Sequence, residues 1–210
     1  MRSFQNPSKS PIIGFVRSGQ SVDDVLRLRD SLGELPESVA KPALVVVSGL
    51  PGTGKSYFCR RLAERTPVVI LESDALRKVL FSSPGYSSEE NARLFQTIHR
   101  LVAGLLTKGT TLVLDATNLE EYHREQLYHI AEQTGARLIV VQICAPPELV
   151  WQRLLGRASR KDSSENSDAD WQVYRRMRPS AETIRRNHFK VDTSRDIAPA
   201  VEKIASIIDR

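Results

Sequence analysis

Gly49-Leu50-Pro51-Gly52-Thr53-Gly54-Lys55-Ser56 follows directly on Ala43-Leu44-Val45-Val46-Val47-Ser48. The first stretch fits G-x-x-x-x-G-K-[ST] at every position. The second is a short β-branched run of the kind that forms a strand covered on both faces. Helical spacing begins at once, with Phe58 and Leu62 on one face of a helix over 57–65. Strand, glycine-rich turn and helix in that order have a physical use. Glycines 49, 52 and 54 let successive N–H groups turn into one concavity, and a helix opening near Lys55 adds its positive dipole end. The ligand that suits such a cradle is a nucleoside triphosphate, with Lys55 reaching the β- and γ-phosphates and the Ser56 hydroxyl on Mg²⁺.

Outward from this stretch the alternation repeats. Apolar runs at 68–71, 111–115, 138–144 and, more weakly, 189–192 are separated by helical patterns over 75–81, 87–106, 119–133, from Pro146 or Pro147 onward, and 197–208. With 43–48 they make five strands in βαβ order, the pattern of an α/β domain with a parallel sheet. Ser87 and Glu90 stand at capping-box spacing ahead of the stripe Leu94, Ile98, Leu101 and Leu105. Residues 1–42 read as an N-terminal extension punctuated by four prolines, with one helix from Val22 to Leu32 that Ser21 would cap. The domain proper runs from 43 to 210.

The chain has 210 residues, 40% hydrophobic and 26% charged, enough for one domain that folds without disulfides. No apolar run approaches the ~18 residues of a membrane span, and the two cysteines, Cys59 and Cys144, fall in predicted core elements. A cytoplasmic protein is expected. Of the net charge of +5, all is accounted for between Trp151 and Lys190, where ten basic residues face five acids. A basic stretch of this kind suits an anionic partner as well as it suits solvated helix faces. Trp151, Trp171 and Tyr174 inside it read as packing residues, and the four histidines have no metal-site spacing.

The residues around the phosphate loop narrow the chemistry. There is no N-K-x-D to read guanine, and the third strand ends Leu114-Asp115-Ala116-Thr117-Asn118 without the Asp-Glu pair of a mechanical ATPase. The second strand is followed by Glu72-Ser73-Asp74-Ala75-Leu76-Arg77. Strand ends gather at the carboxyl edge of such a sheet, where the ligand lies, so Asp74 falls near the γ-phosphate and can accept the proton of an attacking hydroxyl. Arg77, one helical turn on, can hold an acceptor phosphate or the moving phosphoryl group.

Taken together, the loop, Ser73-Asp74-x-x-Arg77, Leu114-Asp115-Ala116-Thr117-Asn118 with Arg124 following, Arg153 and Arg157, and Ser167-Asp168-Ala169-Asp170 resemble the P-loop kinase group of polynucleotide 5′-kinases, zeta-toxin-like kinases and gluconate-type kinases. The likeness covers about 44–194. It implies a P-loop NTPase fold, a three-layer sandwich around a five-stranded, mostly parallel sheet with a helical lid at about 153–178. It also implies ATP and Mg²⁺ as cofactors. On that resemblance Asp74 is the general base, and Arg77 an acceptor or transition-state contact. Ser56 and Asp115 serve the metal, although Asp115 could orient the acceptor instead. Arg153, Arg157 and Arg160 belong to a lid that closes over the phosphates. Leu50, Pro51, Thr53 and Tyr57 complete the phosphate loop, and Asp192, Thr193 and Ser194 face the adenine.

The expected acceptor is a hydroxylated small molecule or another hydroxyl compound, contacted by Asn91 and Arg93 of the helix opening at Ser87, by Asn118 and Arg124, and by Asp74, Arg77 and Asp115. A 5′-hydroxyl of RNA or DNA is the alternative, favoured by the basic stretch and disfavoured by an aromatic content of 6%. A regulatory ATP-binding or ATPase module that transfers to no acceptor is the third reading.

Overall fold

The computed structural model describes residues 18–160 and 169–210. Ser167, Asp168 and the side chains of Ser21 and Arg160 lie outside the described residues. The chain order is α1 (Ser18–Asp30), β1 (Ala43–Ser48), α2 (Lys55–Ala63), β2 (Val69–Glu72), α3 (Ser73–Leu80), α4 (Ser88–Thr107), β3 (Leu112–Asp115), α5 (Glu121–Thr134), β4 (Arg137–Cys144), α6 (Pro147–Arg160), α7 (Trp171–Met177), a 3₁₀ turn (Arg178–Ser180), β5 (Phe189–Asp192) and α8 (Ala198–Ile208). The strands form one sheet in the order β2-β3-β1-β4-β5. Every pairing is parallel, with Val46 opposite both Leu114 and Val140.

Helices cover both faces of the sheet, as its unbroken apolar strands require. On one face Leu44, Val46, Leu112 and Leu114 pack with α3, α4 and α5. On the other Val45, Val47 and Val113 pack with Phe58 and Leu62 of α2 and with Val201 and Ile204 of α8. This is the three-layer α/β/α sandwich expected, with an all-parallel sheet. Helix α1 adds to the first layer: Leu28 is fully buried in the same cluster as Leu94 and Ile98. It begins at Ser18, so Ser21 lies within the helix rather than at its cap.

Ser87 caps α4 as expected, its hydroxyl accepting from the Glu90 N–H at 3.2 Å. The Glu90 carboxylate takes the N–H of Gly85 (2.9 and 3.1 Å), which fixes the loop ahead of the helix. In the basic segment, Asp170 caps α7 by accepting from the Val173 N–H. Trp171 and Tyr174 stack at 4.7 Å, with Tyr174 buried against Val150 and Leu154. Trp151 does not pack as expected. Its ring is 46% exposed on the outer face of α6. Among the described residues, no helix is long and apolar enough to cross a membrane.

Candidate active site

β1 is central in the sheet, and after it the chain lays β2 and β3 on one side before crossing over to β4 and β5 on the other. The carboxyl ends of β1, β2 and β3 therefore open on a common crevice. The phosphate loop leaves β1 there. A Cβ on Gly49 would stand 2.5 Å from the Ile143 carbonyl oxygen, so no side chain fits where the loop crosses β4. Gly54 takes φ +95° and caps α2, leaving the first-turn amides of that helix directed at the cradle.

A cavity of about 1100 Å³ begins at this loop. Lys55 and Ser56 line it from α2, Asp74 and Arg77 from α3, Asp115 from the end of β3, and Arg157 from α6. These are the residues expected to carry the chemistry, and the fold brings them together. Burial lowers the pKa of the Lys55 ammonium, opposed by the charges of Asp115 and Asp74. Its Nζ donates to the Leu50 carbonyl at 3.2 Å. Burial raises the pKa of Asp115, while Lys55 and a hydrogen bond from the Ser56 hydroxyl pull it down. Asp115 is 4% exposed, and its Oδ2 has no hydrogen-bond partner among the described residues. A serine hydroxyl beside a carboxylate with an uncommitted buried oxygen is a hard-oxygen donor set, which fits Mg²⁺. Asp74 is half-buried in the first turn of α3. Glu72 holds the cap position of that helix, and no side chain makes a capping bond there, so Asp74 is not spent on capping.

Other expected site residues are engaged elsewhere. Arg124 is wholly buried, and its guanidinium pairs with Glu121 and donates to the carbonyls of Asn118, Leu119, Glu182 and Thr183. It holds α5 to the segment after α7 and has no donor left for an acceptor. Arg93 points away from the cavity to Asp24 of α1. Asn118 lines the cavity, but its amide donates to the Val47 carbonyl at 2.8 Å and its backbone takes φ +41°, pinning the turn after β3 to β1. Arg153 grips Thr193, donating to its hydroxyl at 2.8 Å and its carbonyl at 2.9 Å. The Thr193 hydroxyl donates in turn to the Thr53 carbonyl at 2.6 Å, so α6, the phosphate loop and the turn after β5 are bolted at one oxygen. The Asp192 carboxylate accepts from the N–H and hydroxyl of Ser194, which lowers its pKa. Tyr57 is half-exposed, and it lines the cavity no more than Asp192 or Ser194 does.

The cavity also has walls of which the sequence reading assigned Asn91 alone. Asn91, Phe95 and His99 line it at successive four-residue steps of α4, facing His123 of α5. The Phe95 and His123 rings lie 6.3 Å apart. Val173, Arg176 and Met177 of α7 line it as well, and Tyr86 covers Arg77.

A family model described as an AAA domain matches residues 44–184. The chain belongs to the AAA_33 family of AAA domains. A UPF0200 protein of Saccharolobus islandicus is 29% identical over 139 residues, 60% of this chain and 70% of the relative. Among solved structures, a putative kinase from Chloroflexus aurantiacus superposes with a TM-score of 0.64 at 20% identity, covering 79% of this chain and 98% of the other. Kti12 from Chaetomium thermophilum, solved in complex with ADP-AlF3, gives a TM-score of 0.63 at 22% identity over the same shares. The AAA domain thus has the P-loop NTPase α/β fold expected from the sequence.

Proposed function

We propose that this AAA domain is an ATP- and Mg²⁺-dependent phosphotransferase that moves the γ-phosphoryl group to a hydroxyl of an acceptor held against α3, α4 and α5. The observation that carries the reading is Asp74, a half-buried carboxylate on the same cavity as Lys55 and Ser56 with no capping duty of its own. The cavity continues past the phosphate loop to Phe95 and His99, which gives an acceptor room beside Asp74. The likeness to a Kti12 structure solved with ADP-AlF3 supports nucleotide binding at the loop.

In this reading the loop amides and Lys55 hold the β- and γ-phosphates. Ser56 and Asp115 hold Mg²⁺, which when bound draws charge from the phosphates. Asp74 takes the proton of the acceptor hydroxyl as its oxygen bonds to phosphorus and ADP leaves. Arg157, from the lid helix, meets the charge that develops on the transferred group, and α7 excludes water that would otherwise compete with the acceptor.

The test is transfer of label from γ-labelled ATP, with Mg²⁺, to a 5′-hydroxyl oligonucleotide and to a panel of hydroxylated metabolites, with Asp74→Asn and Lys55→Ala beside the wild type. Label on an acceptor that both variants fail to produce supports the reading. Free phosphate released at the same rate with and without any acceptor would replace it with an ATPase.

A further inference from the structure

The cavity has two ends of opposite character. At the phosphate end it is charged, lined by Lys55, Asp74, Asp115 and Arg157. Tyr86, held at φ +55°, closes over Arg77 beside them. The other end lies between α4 and α5, lined by Phe95, Gln96 and His99 from the first helix and by His123 and Gln126 from the second. At about 1100 Å³ the cavity exceeds the usual span of a pocket for one small molecule, so it has room for a second beside the nucleotide.

The α4–α5 end is flat and uncharged. The Phe95 and His123 rings lie within 24° of parallel, with centroids 6.3 Å apart, so this wall carries two flat faces in nearly one orientation. Burial, with His123 adding repulsion, lowers the pKa of His99 to about 4. Its imidazole is therefore neutral at pH 7, with one nitrogen a donor and the other an acceptor. The side chains of His99, Gln96 and Gln126 make no hydrogen bond among the described residues. Glu120 is the acid on this wall, and its carboxylate stands 3.6 Å from Nε2 of His123. Flat faces beside uncommitted neutral donors and acceptors offer nothing to a phosphate or a carboxylate. They suit a planar ring that has a π face to stack and polar atoms at its edge.

We infer that the α4–α5 end of the cavity is a subsite for an uncharged planar heterocycle of the nucleobase kind, carried by the acceptor, which stacks on Phe95 and His123 while His99, Gln96 and Gln126 hydrogen-bond its edge. The inference rests on the phosphotransferase reading for the word acceptor, and its binding test does not require turnover. A puckered aliphatic ring covers a flat face only in part, so the same wall discriminates against a plain sugar.

The probes are adenosine and cytidine, titrated by calorimetry into protein saturated with Mg²⁺ and AMPPNP so that the nucleotide's own place is filled. Ribose, which lacks the heterocycle, is titrated in parallel. One adenosine or cytidine per chain is expected in the wild type, with ribose at least about ten-fold weaker. Phe95→Leu, which keeps apolar bulk without a ring, and His123→Ala, at a half-exposed position, should each weaken nucleoside binding by about five-fold or more, the worth of one stacking contact. AMPPNP binding by the same variants shows that they are folded, and either one answers the question if the other is not. Ribose binding as tight as that of both nucleosides, or nucleoside binding indifferent to both substitutions, overturns the inference. So does the absence of saturable binding up to about 10 mM. Binding seen only without AMPPNP assigns the nucleoside to the nucleotide site and overturns it too. Ring-dependent binding without transfer of label to any hydroxyl would keep the subsite and reject the phosphotransferase.

Discussion

Arg93 donates from Nε and Nη2 to the two carboxylate oxygens of Asp24, each at 2.7 Å, across 69 positions of sequence. Asp24 is 1% exposed, and the Arg93 guanidinium also lies 5.3 Å over the Phe81 ring. Arg27, one turn after Asp24, donates to the Val79 carbonyl near the end of α3. Helix α1 thus ties α3 to α4 on the side away from the cavity, while Arg77 and Asn91 tie them on the side facing it.

Asp24→Asn should therefore be costly. Removing the buried carboxylate leaves Arg93, itself partly exposed, without its counter-charge, and a loss of about 1–3 kcal/mol is expected. Urea unfolding of the full chain measures it. A change below about 1 kcal/mol would mean that solvent replaces the carboxylate and that α1 braces nothing.

Lys55→Ala and Asp74→Asn should separate binding from chemistry. The first removes the ammonium that reaches the phosphates and should weaken AMPPNP binding. The second should leave AMPPNP affinity within about two-fold while lowering transfer by about 10²–10⁴-fold, the usual worth of a general base. Equal loss of affinity in both would make Asp74 a part of the nucleotide site.

His99 supplies a pH dependence. Burial, with His123 adding repulsion, lowers its pKa from 6.5 to about 4. The unfolded chain takes up the proton near pH 6.5 and the folded chain only near 4, so between those values the unfolded state binds more protons. Stability should then fall as pH drops through that window, by no more than about 3 kcal/mol for this residue. His99→Gln should flatten that part of the curve of melting temperature against pH.

Thr193→Val removes the hydroxyl that joins Arg153 to the Thr53 carbonyl. Both partners lose a bond in a buried place, at about 2 kcal/mol. Thermal unfolding should show the loss, and AMPPNP should raise the melting temperature of the variant less than that of the wild type.

What could be read in the sequence was what is contiguous. The phosphate loop, the five strands and the Asp74/Arg77 pair each lie within a few residues of one another, and their spacing alone sets their geometry. Arg93 and Arg124 were misassigned for the opposite reason. Helical spacing places them on a helix, but whether each faces the ligand is decided by Asp24 and Glu182, 69 and 58 positions away. Asn91 could be read because it stands in the first turns of the helix that Ser87 opens, whereas Phe95 and His99 had a signal only in their four-residue steps from it. That signal was hidden by the stronger apolar stripe of the same helix. Tyr86 had none, since a tyrosine at positive φ is contrary to its own preference.

On the proposed function, the nucleotide and acceptor sides would be built from different parts of the chain. Thr53, Arg153 and Thr193 bolt the former together through β1, α6 and β5, whereas the latter is made of α3, α4, α5 and α7, braced by a helix outside the family's 44–184. Asp74 and Asp115 stand at the seam. Drift in the second set can change which molecule is taken without disturbing how phosphate is held.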